Sequence, residues 1–299
     1  MYYIIYGILY LFSLLPFFVL YAISDLLFFL VYHIFGYRKN IVISNLTIAF
    51  PQKPVEEINY IAKQFYKNLV DNFIETIKLL SLSETAFVKR AAIDFADAKK
   101  LVDKGLNIQF HSGHQMNWEY ASLAISHSLT IPWVAIYLRI QAKPIDKLFL
   151  KIRRKFGATM VEKHNYQIRM PQLMKSQYAL GLIADQNPGQ VKHSFWLNFF
   201  GKPAPFLMGP EKGAMRYKTA VVFVNMKKVK RGFYQFNCKV ITEDGSQLNN
   251  GELTRMYRDF LEDGVREDPS NYLWSHRRWK HGWDAAFEKK WIDTAAVPK

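Results

Sequence analysis

From Tyr2 to Ser24 no charged residue interrupts the chain, and past the lone Asp25 the apolar run resumes as far as Tyr37. About 20 apolar residues suffice to cross a bilayer core as a helix. A cleaved signal peptide would place Lys or Arg ahead of the run and a small-x-small pattern after it, and neither occurs. A buried core helix is the other reading, but the richness in Phe, Tyr and Leu favours a membrane anchor over residues 1–37. Pro16 and Asp25 divide the run, which leaves a kinked span or a span followed by an interfacial helix. Arg38 and Lys39 follow directly, which predicts a cytoplasmic location for everything downstream.

Beyond the anchor the period changes. Ile58, Ile61, Phe65, Leu69, Phe73, Ile77 and Leu80 recur at helical spacing over residues 55–80. Short apolar runs follow at 106–110, 131–138, 179–184, 220–226 and 233–241, each reading as a strand. Helical segments at 118–127, 144–156, 165–176, 209–218 and 252–263 separate several of them. Strands alternating with helices predict an α/β fold with a mostly parallel central sheet flanked by helices. No internal repeat or Gly/Ser linker divides residues 38–283, which read as one domain behind the anchor. The tail, 284–299, offers few core-forming positions beyond Phe287 and Trp291 and is expected to be loosely ordered.

Charge narrows the partners. The formal net charge of +15 calls for an anion: phosphate head groups, an acidic carrier protein or nucleic acid. No helix-turn-helix, zinc-ligand or ribonucleoprotein motif supports nucleic acid. An aromatic content of 16% suits work at a bilayer surface. Cys238 is the single cysteine, so the chain forms no internal disulfide and no thiolate metal cluster. It lies in the alternating run Phe233 to Ile241 and reads as a packing residue.

The chemistry concentrates in His111-Ser-Gly-His114-Gln-Met-Asn117-Trp-Glu119, between a predicted strand and a predicted helix. A histidine at a strand end and a carboxylate at the first helical turn can share one surface. The carboxylate then fixes the imidazole tautomer while the other ring nitrogen takes a proton from a hydroxyl. Spacing alone favours a structural histidine near a helix start. His111, His114 and Glu119 do not form the H-E-x-x-H pattern, and no metal is assigned. Arg153 and Arg154 close a cationic run from Lys147 to Lys155, either a solvated face or a bidentate grip on phosphate. Asp185-Gln186 sit where a strand enters a tight turn, either a turn cap or a ligand position at a strand's carboxyl end. Phe195 to Ala204 either lines an apolar pocket for a fatty chain or packs as an ordinary loop.

Taken in order, these segments resemble the late acyltransferases of lipid A biosynthesis, the lauroyl/myristoyl type, within the lysophospholipid-acyltransferase-like group. The resemblance runs from the apolar amino terminus through Arg38-Lys39-Asn40, Asn45-Leu46 and Ala49-Phe50-Pro51. His114-Gln-Met-Asn117-Trp118-Glu119 is similar to the family's H-x4-D/E signature, with Met116 where relatives commonly carry glycine. Arg153 or Arg154 ahead of Phe156-Gly157, Asp185-Gln186, and Phe199-Phe200-Gly201 follow in the family's order. So does the aromatic and basic closing segment Tyr272 to Lys280, which contains Arg277 and Arg278.

The resemblance implies transfer of a fatty acyl chain from acyl carrier protein to a hydroxyl of a lipid A precursor. His114 would be the general base and Glu119 its supporting acid, both at the cytoplasmic face of the inner membrane. No separate cofactor is implied, because the acyl chain arrives on the carrier's phosphopantetheine. Asn117, Asp185, Gln186, Arg153, Arg154, Arg277 and Arg278 would bind substrate, the arginines through phosphate. A thiol leaving group needs no enzyme nucleophile, which agrees with the lack of a G-x-S-x-G elbow. The same motifs would serve an O-acyltransferase of another membrane glycolipid or amino-acid lipid. A non-enzymatic, basic, membrane-anchored binding protein fits the charge but leaves His114 and Glu119 unexplained.

Overall fold

The computed structural model describes residues 1–298. Its apolar amino terminus is two helices, α1 (Tyr2–Leu14) and α2 (Phe17–Phe29), parted at Pro16. Proline has no N–H to donate and a φ already suited to a helix start, so it ends one helix and opens the next. From α2 a π-helical turn, Leu30–Ile34, continues to Gly36, whose φ of 56° turns the chain. The joined stretch Phe17–Ile34, 18 residues with a mean hydropathy of 2.0, is long and apolar enough to cross a membrane. One face of α2 is nevertheless tied to the domain. Ser24 Oγ donates to Asp71 Oδ1 at 2.7 Å, and Arg231 bridges Asp25 and Asp71 at 2.8 and 2.6 Å. Tyr21 donates to Glu75 at 3.0 Å. The opposite face of the pair is bare, with Phe18 76% and Ile8 62% exposed.

Helices α3 (Lys39–Ala49) and α4 (Val55–Lys78) follow. The apolar stripe expected over 55–80 is the buried face of α4, carried by Ile58, Ile61, Phe65, Leu69 and Ile74, while Phe73 is exposed. After α5 (Glu84–Val88) come β1 (Ala91–Asp94), α6 (Ala96–Asp103), β2 (Ile108–Ser112) and α7 (Trp118–Ser128). Next are β3 (Trp133–Tyr137), α8 (Lys143–Arg153), β4 (Thr159–Glu162), α9 (Tyr166–Leu173) and β5 (Ala179–Ile183). The chain closes with β6 (Ser194–Phe199), β7 (Lys202–Leu207), α10 (Gly209–Tyr217), β8 (Ala220–Lys230), β9 (Phe233–Thr242) and α11 (Glu252–Glu267).

Seven strands form one sheet in the order β1-β9-β8-β2-β5-β3-β4. Every neighbouring pair is parallel except β8 with β9. This is the mostly parallel, helix-flanked α/β sheet that the alternation predicts. Central β2 is buried at every position, as a strand covered on both faces must be. The five predicted runs become β2, β3, β5, β8 and β9, while the short strands β1 and β4 complete the edges.

The aromatic segment from 195 to 204 is a hairpin rather than a loop. Phe200 and Gly201 turn it with φ of 51° and 72°, the paired positive values of a tight two-residue turn. Its Phe199 and Phe206 are buried in the core, so the hairpin packs rather than lining an open pocket. The tail is also pinned. Residues Ala285–Lys290 form a 3-10 turn, Phe287 stacks on Trp196, and Ile292 N–H donates to the Trp196 carbonyl at 2.9 Å. Cys238 is half-buried in β9, and burial pushes its thiol up to about 12, which suits packing rather than reactivity.

Candidate active site

Parallel strands β2 and β5 are hydrogen-bonded neighbours in which Ser112 stands opposite Ile183. Two residues past each strand end stand His114 and Asp185, so the register carries them out of the same sheet edge side by side. The carboxyl ends of parallel strands are where ligands bind in open α/β sheets. Asp185 Oδ1 lies 2.6 Å from His114 Nδ1, and Oδ2 accepts the His114 backbone N–H at 2.9 Å. The approach depends on Gly113, where a Cβ would fall 2.5 Å from Leu261 Cδ2. Burial alone would raise the Asp185 carboxyl, but the charge and hydrogen bonds of His114 hold it down at about 2. It is therefore ionised and can only accept, which places the proton on Nδ1 and leaves the Nε2 lone pair free. The His114 side chain is 19% exposed, against 1% for Asp185, so the pair meets solvent through the imidazole.

The sequence reading gave Glu119 to His114, and the structure gives Glu119 to another partner. Glu119 is buried at the first turn of α7 and receives a bidentate fork from Arg153 at the end of α8. The Arg153 Nε lies 3.1 and 3.0 Å from the two carboxylate oxygens, and Nη2 lies 2.5 Å from Oε1. Burial works against the Arg153 charge, but Glu119 holds its guanidinium above the ordinary value. An arginine committed to a buried carboxylate has no fork left for a phosphate. The adjacent Arg154 is exposed at the C-cap of α8.

Asn117, expected to meet substrate, faces inward instead. It has the left-handed φ of 71° and is fully buried, with Nδ2 donating to Glu75 Oε2 at 2.5 Å. Glu75 also accepts from Tyr234 at 2.8 Å. Desolvation pushes the Glu75 carboxyl up to about 7, against the hydrogen bond from Tyr234 that pulls it down. The turn between base and helix thus hangs on a buried acid of α4 that no sequence motif singled out. Glu75 stands two residues from both Phe73 and Ile77, off the apolar stripe, so helical spacing gave no signal for it.

Other assignments divide similarly. Arg278 is 1% exposed, its guanidinium stacked over Phe206 at 4.4 Å and Phe199 at 5.1 Å, so it is a core residue rather than a ligand. Arg277 and Lys280 are exposed, and half-buried Gln186 follows Asp185 into the turn. His111 is buried against Gln109, and desolvation drops its imidazole to about 3, so it is neutral. The backbone N–H of His114 is taken by Asp185 and that of Met116 by Asn271, so neither is a free oxyanion donor. The closing segment reaches the site through its backbone, with Leu273 N–H donating to the His114 carbonyl at 3.0 Å.

An imidazole held by a buried carboxylate at a sheet edge, with no neighbouring thiol or seryl elbow, suits attack by an external hydroxyl. A search among curated proteins finds no match to the chain. The family model described as bacterial lipid A biosynthesis acyltransferase matches residues 1–281, nearly the whole chain. The protein therefore belongs to the bacterial lipid A biosynthesis acyltransferases.

Proposed function

We propose that the protein carries a fatty acyl chain from an acyl carrier protein thioester to a hydroxyl of a lipid A precursor, with His114 as general base. The observation that carries this reading is the bond from His114 Nδ1 to buried Asp185, which leaves Nε2 as proton acceptor. The acceptor hydroxyl loses its proton to Nε2 as its oxygen attacks the thioester carbonyl. The tetrahedral intermediate then expels the thiolate, the C–S bond breaks, and the imidazolium returns its proton to sulfur. Asp185 fixes the tautomer and offsets the imidazolium charge. Glu119 and Arg153 act at one remove, locking the start of α7 beside the base.

The donor needs no cofactor beyond the carrier's own phosphopantetheine, and the strongly basic surface would attract that acidic carrier. The bare apolar face of α1 and α2 sits in the cytoplasmic leaflet of the inner membrane, with Arg38 and Lys39 at the head groups. On this reading residues 1–37 attach the enzyme, 38–283 catalyse and the tail from 284 to 298 braces the β6–β7 hairpin. Mass spectrometry of lipid A from a strain lacking the protein tests the assignment. Loss of one secondary acyl group is expected, and an unchanged acyl pattern would overturn it.

A further inference from the structure

A cavity of about 380 Å³ opens at the turn Asn187-Pro188-Gly189, just past Asp185 in the chain. Three segments far apart in sequence meet there: Arg38 at the start of α3, the turn after Asp185, and the closing segment from His276 to His281. Their junction is fixed by hydrogen bonds to backbone. Asn45 of α3 donates to the carbonyls of Trp274 and His276 at 2.8 and 2.7 Å, and Arg38 donates to that of Ser275 at 3.0 Å. On the other wall Asn187 donates to the Arg277 carbonyl.

These bonds gather Arg38, Arg277 and Lys280 around one space, with His276, His281 and Asn187 between them. Among the described residues, no carboxylate lines the cavity. Among the described residues, none of the three cations forms an ion pair. Asp185, two residues from Asn187, is buried and already spent on His114. Nδ1 of His276 has no partner among the described residues. Like charges held together by rigid scaffolding raise the local potential and favour an anion. The volume is roughly that of a dozen waters, enough for a phosphate with part of the group it esterifies. Two guanidinium forks, an ammonium and two imidazoles match several phosphate oxygens better than one carboxylate.

We propose that this cavity is a phosphate-ester site that holds one reactant while its reacting group meets His114. The assignment to a reactant rests on the acyl transfer proposed above; the anion site itself does not. Two reactants carry such a group, the phosphorylated glycolipid acceptor and the phosphopantetheine arm of the donor.

Binding is tested first, without turnover. Thermal unfolding of the full-length protein in detergent is followed with inorganic pyrophosphate as probe, for wild type, Arg277→Ala and Lys280→Ala. Pyrophosphate should stabilise the wild type, and each substitution should weaken its apparent affinity about ten- to a hundredfold. Equal stabilisation of all three proteins, or of none, overturns the site whether or not acyl transfer is observed. Kinetics then separate the sources. If the acceptor phosphate binds here, the kcat/KM preference for phosphorylated over dephosphorylated acceptor should fall by the same factor in Arg277→Ala. If the donor phosphate binds here, the preference for carrier-linked donor over a phosphate-free pantetheine thioester should fall instead. Loss of neither preference would refute a role in placing a reactant. Arg277→Lys should retain only part of the effect, because an ammonium lacks the planar fork.

Discussion

Replacing Asp185 by Asn removes one charge and exchanges an acceptor for a donor at almost constant volume. The carboxylate has two duties, 2.6 Å from the His114 ring nitrogen and 2.9 Å from its backbone nitrogen. An amide can keep only one of them, since its NH₂ would face either the ring N–H or the backbone N–H. A charge-assisted bond of this kind is worth about 1.5–3 kcal/mol. The lost attraction between imidazolium and carboxylate adds about 4 kcal/mol at an effective dielectric constant near 20. Together these amount to a fall in kcat of about 10⁴- to 10⁵-fold. Asp185 is 1% exposed and meets solvent only through the imidazole, so KM for both substrates should stay close to wild type. Steady-state kinetics on purified Asp185→Asn, checked for folding by thermal unfolding, measures this. Proton NMR should also lose the low-field resonance of the carboxylate-bonded Nδ1–H. Because the two residues act as a unit, adding Asp185→Asn to His114→Ala should cost little more than His114→Ala alone. A kcat within tenfold of wild type, or full additivity in the double variant, would refute the pairing.

Other consequences follow from the same geometry. Arg153→Met or Glu119→Leu alone should cost about 3–5 kcal/mol by stranding a buried charge, while the double replacement should recover most of the lost Tm; equal losses on phosphorylated and dephosphorylated acceptor would separate this from a phosphate clamp. Glu75 holds its proton up to about pH 7 in the fold against 4.5 for the free group, so stability should decline as pH rises from 4.5 through 7. That slope, roughly 3 kcal/mol in all by the pKa difference, should vanish in Glu75→Gln when urea midpoints are compared across pH, and an identical slope in the variant would contradict the buried acid. Gly113→Ala drives a methyl against Leu261 and should destabilise by about 1–3 kcal/mol, with Leu261→Ala giving back part of the activity by making room. Ile8→Glu and Phe18→Glu should each weaken flotation with phosphatidylglycerol vesicles about ten- to a hundredfold, the effect of removing one buried apolar side chain; unchanged flotation would show that this face does not meet lipid.

The sheet was legible where strands are long and buried. Every position of β2 is buried, and β5 and β8 also begin as unbroken apolar runs, so hydrophobic continuity marks them directly. The edge strands β1 and β4 run only four residues each with one buried position apiece, too short for a period to register. The β6–β7 hairpin escaped because its turn is Phe200-Gly201, and a phenylalanine at positive φ is not a turn signal. Its ring is held by packing on Phe50 and near Trp274, contacts made by residues about 150 and 70 positions away. At the amino terminus, composition shows an apolar surface, but the docking of α2 depends on Asp71, Glu75 and Arg231, which no local window contains.

His114 was legible because its neighbours in sequence announce a strand end and a helix start; its carboxylate partner was not. Five residues on, Glu119 is the nearer acid along the chain. Between the two lies Asn117, whose left-handed backbone is held from below by Glu75 and swings the first turn of α7 toward the end of α8. Glu119 therefore meets Arg153, and the acid that meets His114 comes from the neighbouring strand, 71 residues away. Only the β2–β5 register makes that choice, and register is a property of pairs of segments. The arginines obey the same logic. A guanidinium fork fits a carboxylate, a phosphate or an aromatic face with the same atoms, so residue type left all of these open. Arg153 found a carboxylate, Arg278 found two phenylalanine rings, and Arg277 and Arg38 were left lining the cavity at the turn that follows Asp185. The cations without a carboxylate or aromatic-core partner are the ones that a substrate anion can still use.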